Sequence, residues 1–151
     1  MAPKLIDALA EKLRADSGIE MITAANPLDD DAEIQDPNVV KVVIDATGRA
    51  LYFSRSPIPH RRNAVGELPS YRHNGIYGFR TDFLRRFVSW EPSLLERAEG
   101  LEQLRALENG ARIHVVITQE VALGVDTPGQ AEEIETIMRE SVHSTASTPA
   151  S

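Results

Sequence analysis

Residues 112–118 read RIHVVIT, an apolar run broken by one histidine and lacking any alternation of wet and dry positions. A run of this kind forms a strand covered on both faces. On either side the pattern turns helical. PSLLERAEGLEQLRALENG, 92–110, reads as one helix with Leu94, Ala98, Leu101 and Leu104 as its stripe, and Gly110 follows its end as a C′ residue does. TPGQAEEIETIMRE, 127–140, reads as the next helix, with Ile134, Ile137 and Met138 inward. Thr127 caps it, Pro128 suits its first position, and Gln130 closes a capping box. A dry strand between two helices requires a sheet with helices laid over it, so the predicted class is α/β with a covered sheet.

The rest of the chain fits that frame. PKLIDALAEKLRA, 3–15, is a helix whose stripe is Leu5, Ile6, Leu9 and Leu13, and IEMITAA, 19–25, is a short strand. NPLDDDAEIQDPN, 26–38, reads as a solvated acidic loop, because two prolines and four aspartates discourage regular structure. VVKVVIDATGRALYFSR, 39–55, is a β-hairpin turning at Ala46-Thr47-Gly48-Arg49. SPIPHRRNAVGELPSYRHN, 56–74, is a basic loop, GIYGFR, 75–80, a strand, and TDFLRRFVSW, 81–90, a helix capped by Thr81 with Phe83, Phe87 and Trp90 inward. Residues 141–151 lack anything to pack and are expected to be a disordered tail.

With 151 residues the chain fits one domain, here 1–140 plus the tail. No apolar run is long enough for a membrane span, and no secretory leader is visible, so the expected setting is cytoplasmic. The absence of cysteine excludes disulfides and thiolate metal sites, and a net charge of −7 argues against nucleic-acid binding. Its partners are expected to be small molecules or protein.

The familiar short fingerprints, from phosphate-binding glycine loops to zinc-binding HExxH, do not occur. His60, His73, His114 and His143 lack metal-ligand spacing, and His114 in its apolar strand reads as structural. Between Arg55 and Arg80 stand five arginines and two histidines against one acid, Glu67. This is either a scattered solvated surface or a concentration of positive potential for an anionic ligand. Arg55 ends a strand, where α/β proteins present ligand groups, and its planar fork matches a carboxylate or phosphate. His73 and Tyr77 bracket the turn into the next strand, serving either packing or hydrogen bonds to a ligand. Glu102 and Gln103 read as a solvated helix face. Asp126 has no capping duty left beside Thr127, so it is either a charge placed on the helix dipole or a ligand for a hard divalent cation such as Mg²⁺.

In order and spacing, DPNVVKVVIDATGRALYFSRSPIP, RHNGIYGFR, LLERAEGLEQLRALENG and GVDTP resemble the 3-deoxy-manno-octulosonate cytidylyltransferase (CMP-Kdo synthetase) family from about residue 4 to residue 140. The resemblance implies a nucleotide-diphospho-sugar-transferase-like mixed sheet flanked by helices, with a β-hairpin dimerisation region over 39–80 and hence a homodimer. It implies Mg²⁺-dependent attack of the 2-hydroxyl of Kdo on the α-phosphate of CTP, giving CMP-Kdo and pyrophosphate for lipopolysaccharide assembly. Asp126 matches the family's Mg²⁺-holding catalytic aspartate. Arg55, His73, Glu102 and Gln103 match positions facing the Kdo carboxylate and hydroxyls, with Tyr77 a weaker member of the same pocket.

The match begins partway into the family, whose N-terminal part carries an RLPGKPL-type loop and a GDEP-type aspartate with no counterpart here. The chain therefore reads as the family's C-terminal portion, not expected to catalyse unaided. The competing readings are a non-catalytic module for dimerisation or sugar-acid binding, and a cytidylyltransferase for a related acid sugar such as an acylneuraminate.

Overall fold

The computed structural model describes residues 3–63 and 68–119. The predicted final helix 127–140, Asp126 and the tail 141–151 lie outside them. In chain order the elements are α1 (Pro3–Ala15), β1 (Met21–Leu28), α2 (Asp31–Gln35), β2 (Lys41–Ile44), β3 (Ala50–Ser54), β4 (Ser70–Phe79), α3 (Thr81–Ser89), α4 (Leu94–Glu99), α5 (Gln103–Glu108) and β5 (Ile113–Ile117). The strands form one mixed sheet in the order β3-β2-β4-β1-β5, in which β1 runs antiparallel to β4 and parallel to β5.

Both faces of the sheet are covered, as the character of β5 required. On one face Leu5 and Leu9 of α1 pack on Ile19, Ile22 and Ala24, with Leu13, Ile76 and Val116 at the margin. On the other, Met21, Ala25, Val42, Phe53, Ile113 and Val115 meet Phe83 and Phe87 of α3 and Leu101, Leu104 and Ala106 of the α5 region. The period of two along β1 assigns Ile22 and Ala24 to the first cluster and Met21 and Ala25 to the second. Ile6, placed on the inward stripe by its spacing, is half exposed, because only the Leu5-Leu9 line of α1 faces the sheet.

Four boundaries differ from expectation. First, Asn26-Pro27-Leu28 continue β1. The Ala25 carbonyl accepts from Thr118 on the β5 side, and the Pro27 nitrogen faces that same side beyond the end of β5, where no ladder bond is lost. Within the supposed acidic loop, Asp30 caps α2 by accepting from the Ala32 amide at 2.9 Å, so its acids begin a helix. Second, the basic loop ends earlier, because β4 begins at Ser70 and pairs with β1 from there to Phe79, interrupted only by a bulge. His73 and Tyr77 therefore stand within one strand and do not bracket a turn. Third, the cap of α3 is Arg80, without a side-chain bond, and Thr81 is the first helical residue. Arg80 instead donates to the carbonyls of Leu13, Asp16 and Ile19, closing the end of α1.

Fourth, 92–110 is two helices. Ser93 and Glu96 form a capping box that starts α4, and Gly100, at φ 65°, ends it in left-handed backbone. Leu94 is 73% exposed and Ala98 is exposed too, so the continuous stripe does not exist. Arg105 of α5 binds both carboxylate oxygens of Glu96 at 2.6 and 2.8 Å, lies 4.9 Å from the Phe87 ring centroid and locks the pair of helices to α3.

The hairpin forms as expected, with Gly48 at φ 84° in its turn. The turn reaches the opposite edge of the sheet. The Gly48 carbonyl accepts from Val115 of β5 at 2.8 Å, and the His114 ring packs against the glycine. Gly78 marks a close approach of α1 to the sheet. A Cβ there would stand 2.8 Å from both Ile22 Cγ2 and Leu13 Cδ1. Gly78→Ala is expected to cost about 1–3 kcal/mol in urea unfolding, through the side-chain shifts that overpacking forces. Unchanged stability would mean that α1 is not held down at this point.

Candidate functional site

β1 and β4 are out of step in their middle. Thr23 faces Tyr77 while Ala24 faces Asn74, so Gly75 and Ile76 bulge from the ladder. The bulge leaves carbonyls without ladder partners, and the Thr23 hydroxyl serves them, standing 2.7 Å from Ile76 O and 3.2 Å from Asn74 O. The same oxygen lies 2.9 Å from His73 Nε2. A hydroxyl has one proton, and a carbonyl only accepts, so the network assigns the proton of Thr23 to the carbonyls and makes His73 Nε2 the donor to Thr23. His73 Nδ1 is then a bare acceptor, suited to a sugar hydroxyl.

Burial lowers the His73 pKa from its ordinary 6.5 to about 4, so the ring is neutral throughout the physiological range. Its faces are filled by Phe53, edge-on with centroids 4.9 Å apart, and by Tyr77 at 5.4 Å. Burial, and after it the charge of Glu102, pushes the Tyr77 phenol up, so that it stays protonated as a donor. Glu102 is exposed just before α5. Gln103, the first residue of α5, is 2% exposed, and its Nε2 has no hydrogen-bond partner among the described residues. This corrects the reading of 102–103 as a solvated face, since the two residues part company where α5 begins. A buried amide donor without a partner is rare in folded proteins and marks a position that a ligand oxygen can complete.

Arg55 follows β3 two residues after Phe53. Its backbone N–H donates to Glu99 Oε2 at 3.0 Å, its Nε to Glu99 O at 2.8 Å and its Nη1 to Pro37 O at 3.0 Å. Glu99 also accepts from Ser54 Oγ at 2.6 Å and fixes the end of β3 from α4. Three other arginines of the basic stretch are engaged within the chain. Arg61 is bound to Leu68 O and Ser70 Oγ, Arg72 to Glu33, and Arg80 to the end of α1. Arg55 follows Phe53 by two residues, and the Phe53 ring meets that of His73.

The structure thus joins His73 to Tyr77 by ring contact and Tyr77 to Glu102 by charge, and sets Arg55 two residues beyond Phe53, whose ring meets His73. Thr23 and Glu99 were missed in the sequence. A threonine inside the otherwise apolar MITAA was a signal for the first, whereas nothing local marked the second. Among the described residues no group of three histidine or acidic side chains stands close enough together to hold a metal ion.

Comparison with known proteins adds independent findings. A family model described as "Cytidylyltransferase" matches residues 1–113. The 3-deoxy-manno-octulosonate cytidylyltransferase of Syntrophotalea carbinolica is 48% identical over 145 residues, which cover 91% of this chain and 58% of the relative. That of Chlorobaculum tepidum is 54% identical over 107 residues, covering 71% of this chain and 43% of the relative. Among solved structures, CMP:2-keto-3-deoxy-manno-octonic acid synthetase complexed with CTP superimposes with a TM-score of 0.86 at 35% identity, over 93% of this chain and 58% of that one. The chain spans about half the length of the curated relatives it matches.

Proposed function

Because the chain belongs to the cytidylyltransferase family, we propose that it carries the sugar-acid side of a CTP-dependent enzyme activating Kdo for lipopolysaccharide assembly. In that reaction the 2-hydroxyl oxygen of Kdo bonds to the α-phosphorus of CTP, the bond to the β-phosphate oxygen breaks, and pyrophosphate leaves as CMP-Kdo forms. The hydroxyl proton is released. These residues do not transfer groups themselves. They hold and orient the nucleophilic sugar, which supplies the entropic part of catalysis.

Arg55 takes the carboxylate of Kdo, His73 Nδ1 accepts from a hydroxyl, and Tyr77 and Gln103 donate to its oxygens, with Glu102 at the rim. The observation that carries this reading is the buried Nε2 of Gln103, without a hydrogen-bond partner among the described residues, at the start of α5 and next in sequence to Glu102, whose charge reaches the Tyr77 phenol. Mg²⁺ enters the proposal through Asp126 as catalytic metal ligand, where it would neutralise phosphate charge. A homodimer through 39–80 belongs to the proposal as well. It is supported by Leu51, 59% exposed on the edge strand β3. A cytoplasmic setting is proposed too. Among the described residues no helix is long and apolar enough to cross a membrane.

The test is a titration of the chain with Kdo followed by NMR. Arg55, His73, Tyr77 and Gln103 are expected to shift together, and Arg55→Ala to weaken binding by about tenfold to a hundredfold, the usual worth of a charge-assisted hydrogen bond. Binding of Kdo to Arg55→Ala with unchanged affinity would refute the assignment.

A further inference from the structure

Lys41 lies in β2 between Val40 and Val42 and has no exposed surface at all. Lysine is almost never enclosed in this way unless every donor is matched. Here each is. The ammonium donates to Asp36 O at 2.8 Å, Val39 O at 2.6 Å and Arg55 O at 2.5 Å. Three donors meet three carbonyls, and the carbonyls come from two separate segments. Asp36 and Val39 belong to the turn that leads into β2, and Arg55 follows β3.

Both segments converge on the Arg55 side chain. Pro37, whose carbonyl receives Arg55 Nη1, stands between two of the residues that Lys41 holds. The other anchor of the guanidinium is the Glu99 carbonyl, and the Glu99 carboxylate takes the Arg55 amide. Arg55 is therefore gripped from the α4 side by Glu99, while the Lys41 ammonium holds Arg55 itself and the Pro37 turn from below. An apolar side chain of equal length would fill the strand position and leave three converging carbonyls facing one another.

We propose that Lys41 is a positioning residue for sugar-acid recognition: its enclosed ammonium ties the 36–39 turn to residue 55 and so sets the direction of the Arg55 guanidinium. The inference rests on the reading that Arg55 binds the Kdo carboxylate. Lys41 does not touch the ligand, and its effect passes wholly through Arg55.

The experiment compares the chain with its Lys41→Met and Arg55→Ala variants, using Kdo as the probe and the Arg55 Nε–H and Lys41 ammonium NMR signals as reporters. In the unaltered chain, Kdo is expected to shift both signals with one dissociation constant. In Lys41→Met the Arg55 Nε–H is expected to lose its protection from exchange, and Kdo affinity to fall about tenfold. The Lys41→Met/Arg55→Ala double variant should bind no more weakly than Arg55→Ala alone, because one pathway is lost twice. Should Lys41→Met not fold, the titration of the unaltered chain decides, and a Lys41 signal unmoved while Arg55 shifts overturns the proposal. A folded Lys41→Met with Arg55 signals and affinity intact overturns it equally. An Arg55 signal indifferent to Kdo in the unaltered chain would instead refute the binding role of Arg55, the premise beneath it.

Discussion

Lowering the pH from 7 to 4 is expected to remove about 3 kcal/mol of folding stability through His73 alone, at 1.36 kcal/mol per pKa unit. In the folded chain burial holds this imidazole at about 4, against an ordinary 6.5. Between those values the unfolded chain takes up a proton that the folded chain refuses, so stability falls as pH falls through the window and is fully present above 6.5. Burial lowers His114 as well, which adds a contribution of the same sign. The carboxyls of Asp45 and Glu96 are held low by hydrogen bonds, chiefly from Thr47 and Arg105 respectively, so their stabilisation is lost only below the ordinary carboxylate range. Urea unfolding across this window, for the chain and for His73→Gln, isolates the term. The curves should converge at acid pH, and parallel curves would mean that the ring is not shut away from water.

Phe53→Ala carries a second large expected effect, about 3–5 kcal/mol of lost stability. Phe53 is fully buried, and it stands between the aromatic core over the sheet and the His73 ring. Its removal takes away packing and also one wall of the imidazole's enclosure. Two readouts should therefore move together: the urea midpoint should drop, and the His73 pKa, followed by NMR, should rise from about 4 toward 6.5. A loss of stability with an unmoved pKa would assign the histidine's desolvation to Tyr77 and Thr23 instead.

What the sequence disclosed and what it hid divide along a physical line. α1, the hairpin and β5 were legible because each is specified by its own periodicity or turn chemistry. The break at Gly100 was hidden because the leucine spacing runs through it, and the Ser93-Glu96 capping box shows its meaning only once the chain has turned. The first half of β4 was hidden because Tyr71, Arg72, His73 and Asn74 do not alternate apolar with polar, being partners of a bulged strand beside a polar site. The candidate site residues were legible through family resemblance, not through local chemistry. The burial of Gln103 beside an exposed Glu102 depends on where α5 starts, and the enclosure of Lys41 depends on a turn and a strand end that meet only in the folded chain.

The bond from Val115 to Gly48 has a consequence for how this molecule comes apart. A hairpin whose tip hangs in water frays by itself, and its opening leaves the remainder intact. Here the tip clasps the far edge of the sheet, so lifting it exposes the amide of Val115 and uncovers His114 in the same movement. The two edges of the sheet are tied at this point, so the outermost hairpin and β5 share one fate when either opens.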